Sequence, residues 1–123
     1  MATTDIALKQ AMAIDGALGV ALVDTGSGMM LGSEGGGRDL DLTVAAAGNT
    51  DVVRAKTRTM EMLGLSEKIE DILITLTGQY HLIRPLTSRS GGGLFLYLAL
   101  DRKRANLAMA RHQLNKVESA LEV

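Results

Sequence analysis

The segment Leu94–Leu100 constrains the fold more than any other part of the chain. It is apolar at every position, with Leu94, Leu96, Leu98 and Leu100 on one side and Phe95, Tyr97 and Ala99 on the other. A strand turns alternate side chains to opposite faces, so a strand apolar on both must be covered on both. Ala17 to Val23 has the same character. A sheet built around two such strands needs helices above and below it, which predicts a three-layer sandwich.

The remaining segments supply those layers. Thr4 can cap a helix running to about Ile14, with Ala7, Leu8, Ala11, Met12 and Ile14 on its buried side and Gly16 where it stops. Ala17–Val23 then forms a hairpin with Met29–Ser33 through the turn Thr25-Gly26-Ser27-Gly28. After the Gly35–Gly37 connection, Asp39 or Asp41 can start a helix that reaches Leu63 before Gly64. Leu42, Ala46, Asn49, Val53, Met60 and Leu63 mark one face of it. Leu40, Val44, Ala47 and Gly48 mark a neighbouring one, so both are expected to be covered, with a possible kink at Gly48-Asn49-Thr50. Strands follow at Ile69–Thr77, Tyr80–Pro85 and Leu94–Leu100, the last two separated by a loop containing Gly91–Gly93. Asp101 can cap a final helix from about Lys103 to Leu121, striped by Leu107, Ala110, Leu114, Val117 and Leu121. The order is α-β-β-α-β-β-β-α in one α+β domain spanning residues 1–123.

Composition narrows the function. With 123 residues the chain has room for one core. Thirteen basic against fourteen acidic side chains leave no cationic excess for phosphate, and Phe95, Tyr80 and Tyr97 are too few to stack bases, so the composition argues against a nucleic-acid partner. The absence of Cys excludes disulfides, thiolate catalysis and sulfur-bound metals. Met1–Lys9 has no secretory signature and no run approaches a membrane span, which predicts a soluble, cytoplasmic protein.

Several segments in this order resemble the roadblock/dynein light-chain family. They are Gly19-Val20-Ala21-Leu22-Val23-Asp24 running into a Gly turn, Ile72-Leu73-Ile74-Thr75, Tyr80-His81-Leu82-Ile83-Arg84-Pro85, Leu96-Tyr97-Leu98-Ala99-Leu100-Asp101 and Ala105–Arg111. The resemblance covers about Asp5 to Leu121. It implies a five-stranded antiparallel sheet with the long central helix on one face and the terminal helices on the other. It further implies homodimers or heterodimers, and, for bacterial members, partnership with or regulation of small Ras-like GTPases. It brings no catalytic residue and no cofactor. The Gly35–Gly37 and Gly91–Gly93 runs match none of the family's segments.

Other chemistries are weaker. Ala21-Leu22-Val23-Asp24-Thr25-Gly26-Ser27 resembles the active-site segment of aspartic proteases, but these residues also suit a hairpin turn, and the helical content is wrong for that fold. Gly35-Gly36-Gly37-Arg38 precedes a helix without the Gly-Lys-Ser/Thr of a phosphate loop. His81 and His112 form no ligand cluster, and His81 reads as a strand-face residue with a hydrogen-bond partner. Arg54-Ala55-Lys56-Thr57-Arg58-Thr59 after a hairpin faintly resembles a haem-binding family of similar layered shape, but the strands after Ile69 do not follow it.

Two basic clusters remain, Arg54, Lys56 and Arg58 on the central helix and Arg102, Lys103 and Arg104 expected at the start of the last; the simpler reading is a solvated face, and contact with an acidic partner surface is the alternative. From the topology the resemblance implies, Ile72, Leu73, Ile74, Thr75 and Leu76 form a sheet edge with no Lys, Pro or bulge to protect it. Together with Val44, Ala45, Ala47 and Gly48 on the central helix, they are the expected dimer interface. The reading is a non-enzymatic dimeric scaffold or regulator of a small Ras-like GTPase. A small-ligand sensing domain is the alternative, and an aspartic protease using Asp24 a distant third.

Overall fold

The computed structural model describes residues 3–87 and 93–121. Its elements are α1 (Thr4–Met12), β1 (Ala17–Asp24), β2 (Met30–Gly35), α2 (Leu42–Met62), β3 (Ile72–Thr75), β4 (Gln79–Pro85), β5 (Leu94–Asp101) and α3 (Leu107–Ala120). The strands make one open antiparallel sheet in the order β2-β1-β5-β4-β3. The two doubly apolar strands, β1 and β5, are therefore neighbours in its middle. Val20–Val23 and Phe95–Leu100 are all essentially without solvent contact.

Alternation along these strands sorts the core into two halves. Val20, Leu22, Leu82, Leu96, Leu98 and Leu100 meet Ala7, Leu8 and Ala11 of α1 and Ala110, Leu114 and Val117 of α3. Ala21, Val23, Ile83, Phe95, Tyr97 and Ala99 meet Leu42, Ala46 and Val53 of α2. The α1/α3 layer is locked by Glu118, a nearly buried carboxylate that accepts from Arg84 Nε, from Thr87 N at 3.0 Å and from Thr87 Oγ1 at 3.3 Å. That bond set fastens the end of β4 to α3.

Several element ends differ from the sequence reading, each for a local reason. Thr3, not Thr4, caps α1, with its hydroxyl accepting from Ile6 N. Asp41 caps α2 and accepts from Thr43 N and Val44 N. Asp101 does not start the last helix. Its carboxylate and carbonyl close a turn, accepting from Lys103 N and from Arg104 N and Ala105 N. Asn106 is the cap, accepting from Met109 N, and α3 begins at Leu107. Arg102–Arg104 thus lie in that turn, and the unfavourable meeting of cations with a helix N-terminus does not arise.

Nor does α2 break at Gly48-Asn49-Thr50. Asn49 Nδ2 donates to Ala45 O at 2.8 Å and Thr50 Oγ1 to Ala46 O at 2.7 Å, so their polar groups are satisfied inside the helix. Strand β3 is shorter than expected, because residues 66–71 approach it without pairing. Gly93 precedes β5, whereas Gly91 and Gly92 lie outside the described residues.

Close packing of α1 on β2 depends on Gly35. Its φ is +71°, and a Cβ there would stand 2.7 Å from Met12 Cε and 2.8 Å from Leu18 O. Gly35→Ala combines a left-handed backbone with a clash against main chain. It is expected to cost about 2–4 kcal/mol in urea unfolding. A change under 0.5 kcal/mol would show that α1 can move away freely.

Candidate docking face

An open sheet has two edges, and they differ here. Edge β2 carries a bulge opposite Leu22/Val23, and α1 packs across it and β1. Edge β3 has neither protection. Its hairpin to β4 is closed by Leu76 N donating to Gln79 O at 2.8 Å. Counting back through the register Thr75↔Tyr80, Ile74↔His81, Leu73↔Leu82 and Ile72↔Ile83, bonded and non-bonded pairs alternate. Ile74 and Ile72 spend their backbone groups on β4, leaving those of Leu73 and Thr75 aimed at the open edge. Leu76 lies just beyond the strand, 42% exposed.

The side chains divide differently. Leu73 packs against the α1/α3 core, whereas Ile72 and Ile74 lie half-buried on the α2 side. Helix α2 packs most closely over β1 and β2, and Ile72 and Ile74 of β3 are only partly buried beside it. Ile83 of β4 is sealed under α2, and beyond it the α2-side face of β3 and the start of β4 form a shallow trough. Its floor is Ile72, Ile74 and His81, and one wall is the α2 flank carrying Ala45 and Val52. Along that flank Ala45, Gly48, Val52, Ala55, Thr59 and Met62 recur at the three- and four-residue spacing of a helix-packing seam. Val44 is 67% exposed and Met62 75%, and a Cβ on Gly48 would meet nothing within 4 Å. The second apolar face expected to be covered on α2 is thus uncovered in the single chain.

The two cationic clusters split. Arg54 donates to the carbonyls of Thr25 and Gly26 and so clamps the β1–β2 turn. Arg102 donates to Leu76 O at 2.8 Å and lies 5.0 Å above the Tyr80 ring. Both serve the fold, and neither role was legible before the turns were placed. Lys56, Arg58, Lys103 and Arg104 have exposed side chains, with Lys56 on the wall of a cleft of about 500 Å³ beside Met60, Leu65, Ile69 and Ile72. An adjoining cleft of about 340 Å³ is lined by Val53, Thr57, Met60, Ile69, Pro85 and Leu86. Both open onto solvent, with charged groups confined to Glu67 and Lys68 in the second. Among the described residues no set of His, Asp or Glu side chains is arranged to hold a metal, and no helix is long and apolar enough to cross a membrane. His112 is exposed on α3.

The layered arrangement, with one helix on one sheet face, two on the other and a bare β3 edge, is that of the roadblock/LC7 domain. A roadblock/LC7 domain from Streptomyces avermitilis superposes with a TM-score of 0.80, covering 97% of this chain and 94% of that one at 12% identity. Myxococcus xanthus MglB superposes at 0.73, with 20% identity over 92% of this chain and 77% of that one. An MglB described as having a tetrameric arrangement gives 0.77, with 15% identity over 93% and 81% of the two chains. The chain therefore has the roadblock/LC7 fold. No protein-family profile and no curated protein matches the sequence.

The Asp24 turn is built for structure. Asp24 accepts from Ser27 Oγ at 2.7 Å and from Gly26 N at 3.3 Å, and Ser27 Oγ in turn accepts from Met29 N. The Ser27 hydroxyl, the Gly26 amide and then the Arg54 charge hold the carboxyl below its ordinary range. A protease dyad needs the opposite, a proton shared between two carboxyls. Asp24→Asn is expected to loosen the turn at neutral pH while leaving peptide cleavage at background level in both proteins. Because the folded-state pKa is depressed, the wild-type advantage is present above pH 3.8 and shrinks as pH falls further. Melting temperatures of the two proteins at pH 7 and pH 2.5 test the trend, and peptidase activity lost specifically in Asp24→Asn would refute the structural role.

Proposed function

We propose that this protein is a non-catalytic, self-associating regulator that binds a small Ras-like GTPase. The observation that carries the reading is the bare β3 edge beside an uncovered apolar trough. Two copies related by a twofold axis satisfy both at once. Leu73 and Thr75 pair across the axis, and the seams around Ala45 and Gly48 bring the two α2 helices together over Ile72 and Ile74. Small side chains allow that close approach. The roadblock/LC7 fold and the tetrameric arrangement described for one MglB structure support self-association.

Such pairing leaves no room for the protease reading. β1 stands three strands in from the β3 edge, about 14 Å at ~4.8 Å per strand, so pairing edge to edge sets the two β1 strands, and their Asp24 carboxyls, roughly 34 Å apart. The GTPase as partner rests on the sequence resemblance and on MglB neighbours of the same fold. With no phosphate loop of its own, the chain acts on a nucleotide-bearing partner and not on nucleotide. Lys56, Arg58, Lys103 and Arg104 are the cations free to meet acidic groups on it.

Thr75→Pro removes an edge N–H from an exposed position and leaves the β4 ladder intact, whereas Ile74→Pro breaks that ladder. Gly48→Arg fills the helix seam without touching the protomer's own core. Sedimentation velocity is expected to show a wild-type dimer and folded monomers for Thr75→Pro and Gly48→Arg, with Ile74→Pro unfolding. A wild type that stays monomeric at tens of micromolar refutes the assembly. For the partner, the purified protein is expected to retain a GTPase from native lysate in a GTP-dependent manner and to show no heat of binding with GTP alone. Direct GTP binding would overturn the division of labour.

A further inference from the structure

His81 occupies the middle of the trough, on β4 between Ile74 of β3 and Ala99 of β5. Both ring nitrogens have partners. Nε2 lies 2.7 Å from Gln79 Oε1, an acceptor, so this nitrogen carries the proton; Nδ1 lies 3.3 Å from Tyr97 Oη and accepts the phenolic hydrogen. The ring stands edge-on to Tyr97 with centroids 5.4 Å apart. Every direct partner is neutral. From β5 the titratable groups on this face are Tyr97, whose phenol burial pushes up to about 12, and Asp101, whose carboxylate is engaged with Lys103 N. β3 contributes only Ile72 and Ile74, and the α2 flank Ala45 and Val52, with Lys56 further along in the cleft against Ile72. The carboxylate on this face, Asp101, stands opposite Gln79 rather than His81 and makes no hydrogen bond to the ring, and burial depresses the His81 pKa below its ordinary value.

We propose that His81 is a proton-sensitive lock on the two-copy interface: the neutral imidazole lets a second copy cover the trough, and the imidazolium opposes it. This rests on the dimer reading above. Covering the trough removes more water from the ring and disfavours its charged form further. Separated copies therefore bind more protons than paired ones, so association is at full strength above the separated-state pKa and weakens as pH falls through it. Twofold symmetry places two such rings in each dimer, so the dissociation constant rises by up to about 100-fold per pH unit in the steepest region.

Dimer dissociation constants measured by analytical ultracentrifugation between pH 7.5 and 5.0 test the lock, with circular dichroism at each pH to report folding. The wild type and His112→Gln are expected to show log Kd rising with a limiting slope near two protons per dimer, and His81→Gln and His81→Phe to be nearly flat. A wild-type dimer whose Kd is independent of pH, or His81 variants that keep the wild-type slope, overturns the lock and leaves the dimer standing. A wild type monomeric at pH 7.5 overturns the dimer and the lock together. An NMR titration of His81 in the unmutated protein guards against misfolding variants: the pKa is expected to be lower in concentrated than in dilute samples, and equal values overturn the proposal.

Discussion

Everything in this fold depends on the contact between β1 and β5. Their cross-strand pairs Val20–Leu98 and Leu22–Leu96 face one layer, and Ala21–Tyr97 and Val23–Phe95 the other. Because both faces of both strands are apolar, neither can sit at an edge or lie against solvent, and helices must close over both sides. Burying large apolar side chains such as these contributes about 1.5–3 kcal/mol each relative to exposure. The short strands β2 and β3 are then forced outward, and the open question for the molecule becomes how each edge is protected.

The polar groups that penetrate the core are spent on fastening layers. Glu118 joins α3 to the end of β4 through Arg84 and Thr87, and Asp71 joins the approach to β3 to the same helix through a two-pronged bond with Arg111. Removing one partner of a buried ion pair typically costs about 3–5 kcal/mol, so the Arg84–Glu118 lock fixes α3 firmly against the sheet. Among the described residues, no buried side-chain polar atom lacks a partner. The α2 side carries half-buried isoleucines, a histidine bonded only to neutral neighbours, and a helix flank of small residues. The clefts at its margin are open to solvent, and the larger of the two carries Lys56, Glu67, Lys68, Glu70 and Asp71 beside its apolar residues.

The division of the arginines shows how far residue type can mislead. As sequence, Arg54 and Arg102 belong to cationic clusters that read as a solvated face or as partner contacts. In the fold each bonds carbonyls of a turn distant in sequence, Thr25 and Gly26 for Arg54 and Leu76 for Arg102. A guanidinium has five donors and a long reach, so its partner is set by where loops land, which no local pattern encodes. Lys56, Arg58, Lys103 and Arg104 remain exposed.

The sequence by itself determined the element order, the two doubly buried strands and the helices needed to cover them, because side-chain periodicity records which faces avoid water. It also marked Ile72–Leu76 as an unprotected strand and placed Asp24 in a turn, both from local chemistry. Only the tertiary structure decided that α2 packs most closely over β1 and β2 and leaves Ile72, Ile74 and His81 partly uncovered, that Leu73 faces the α1/α3 core while Ile72 and Ile74 face the trough, and that Asn106 rather than Asp101 caps α3. Those outcomes depend on register, on where a helix axis settles across a twisted sheet and on competition between two plausible caps. Each is fixed by contacts between residues far apart in the chain, and periodicity along one segment carries no trace of them.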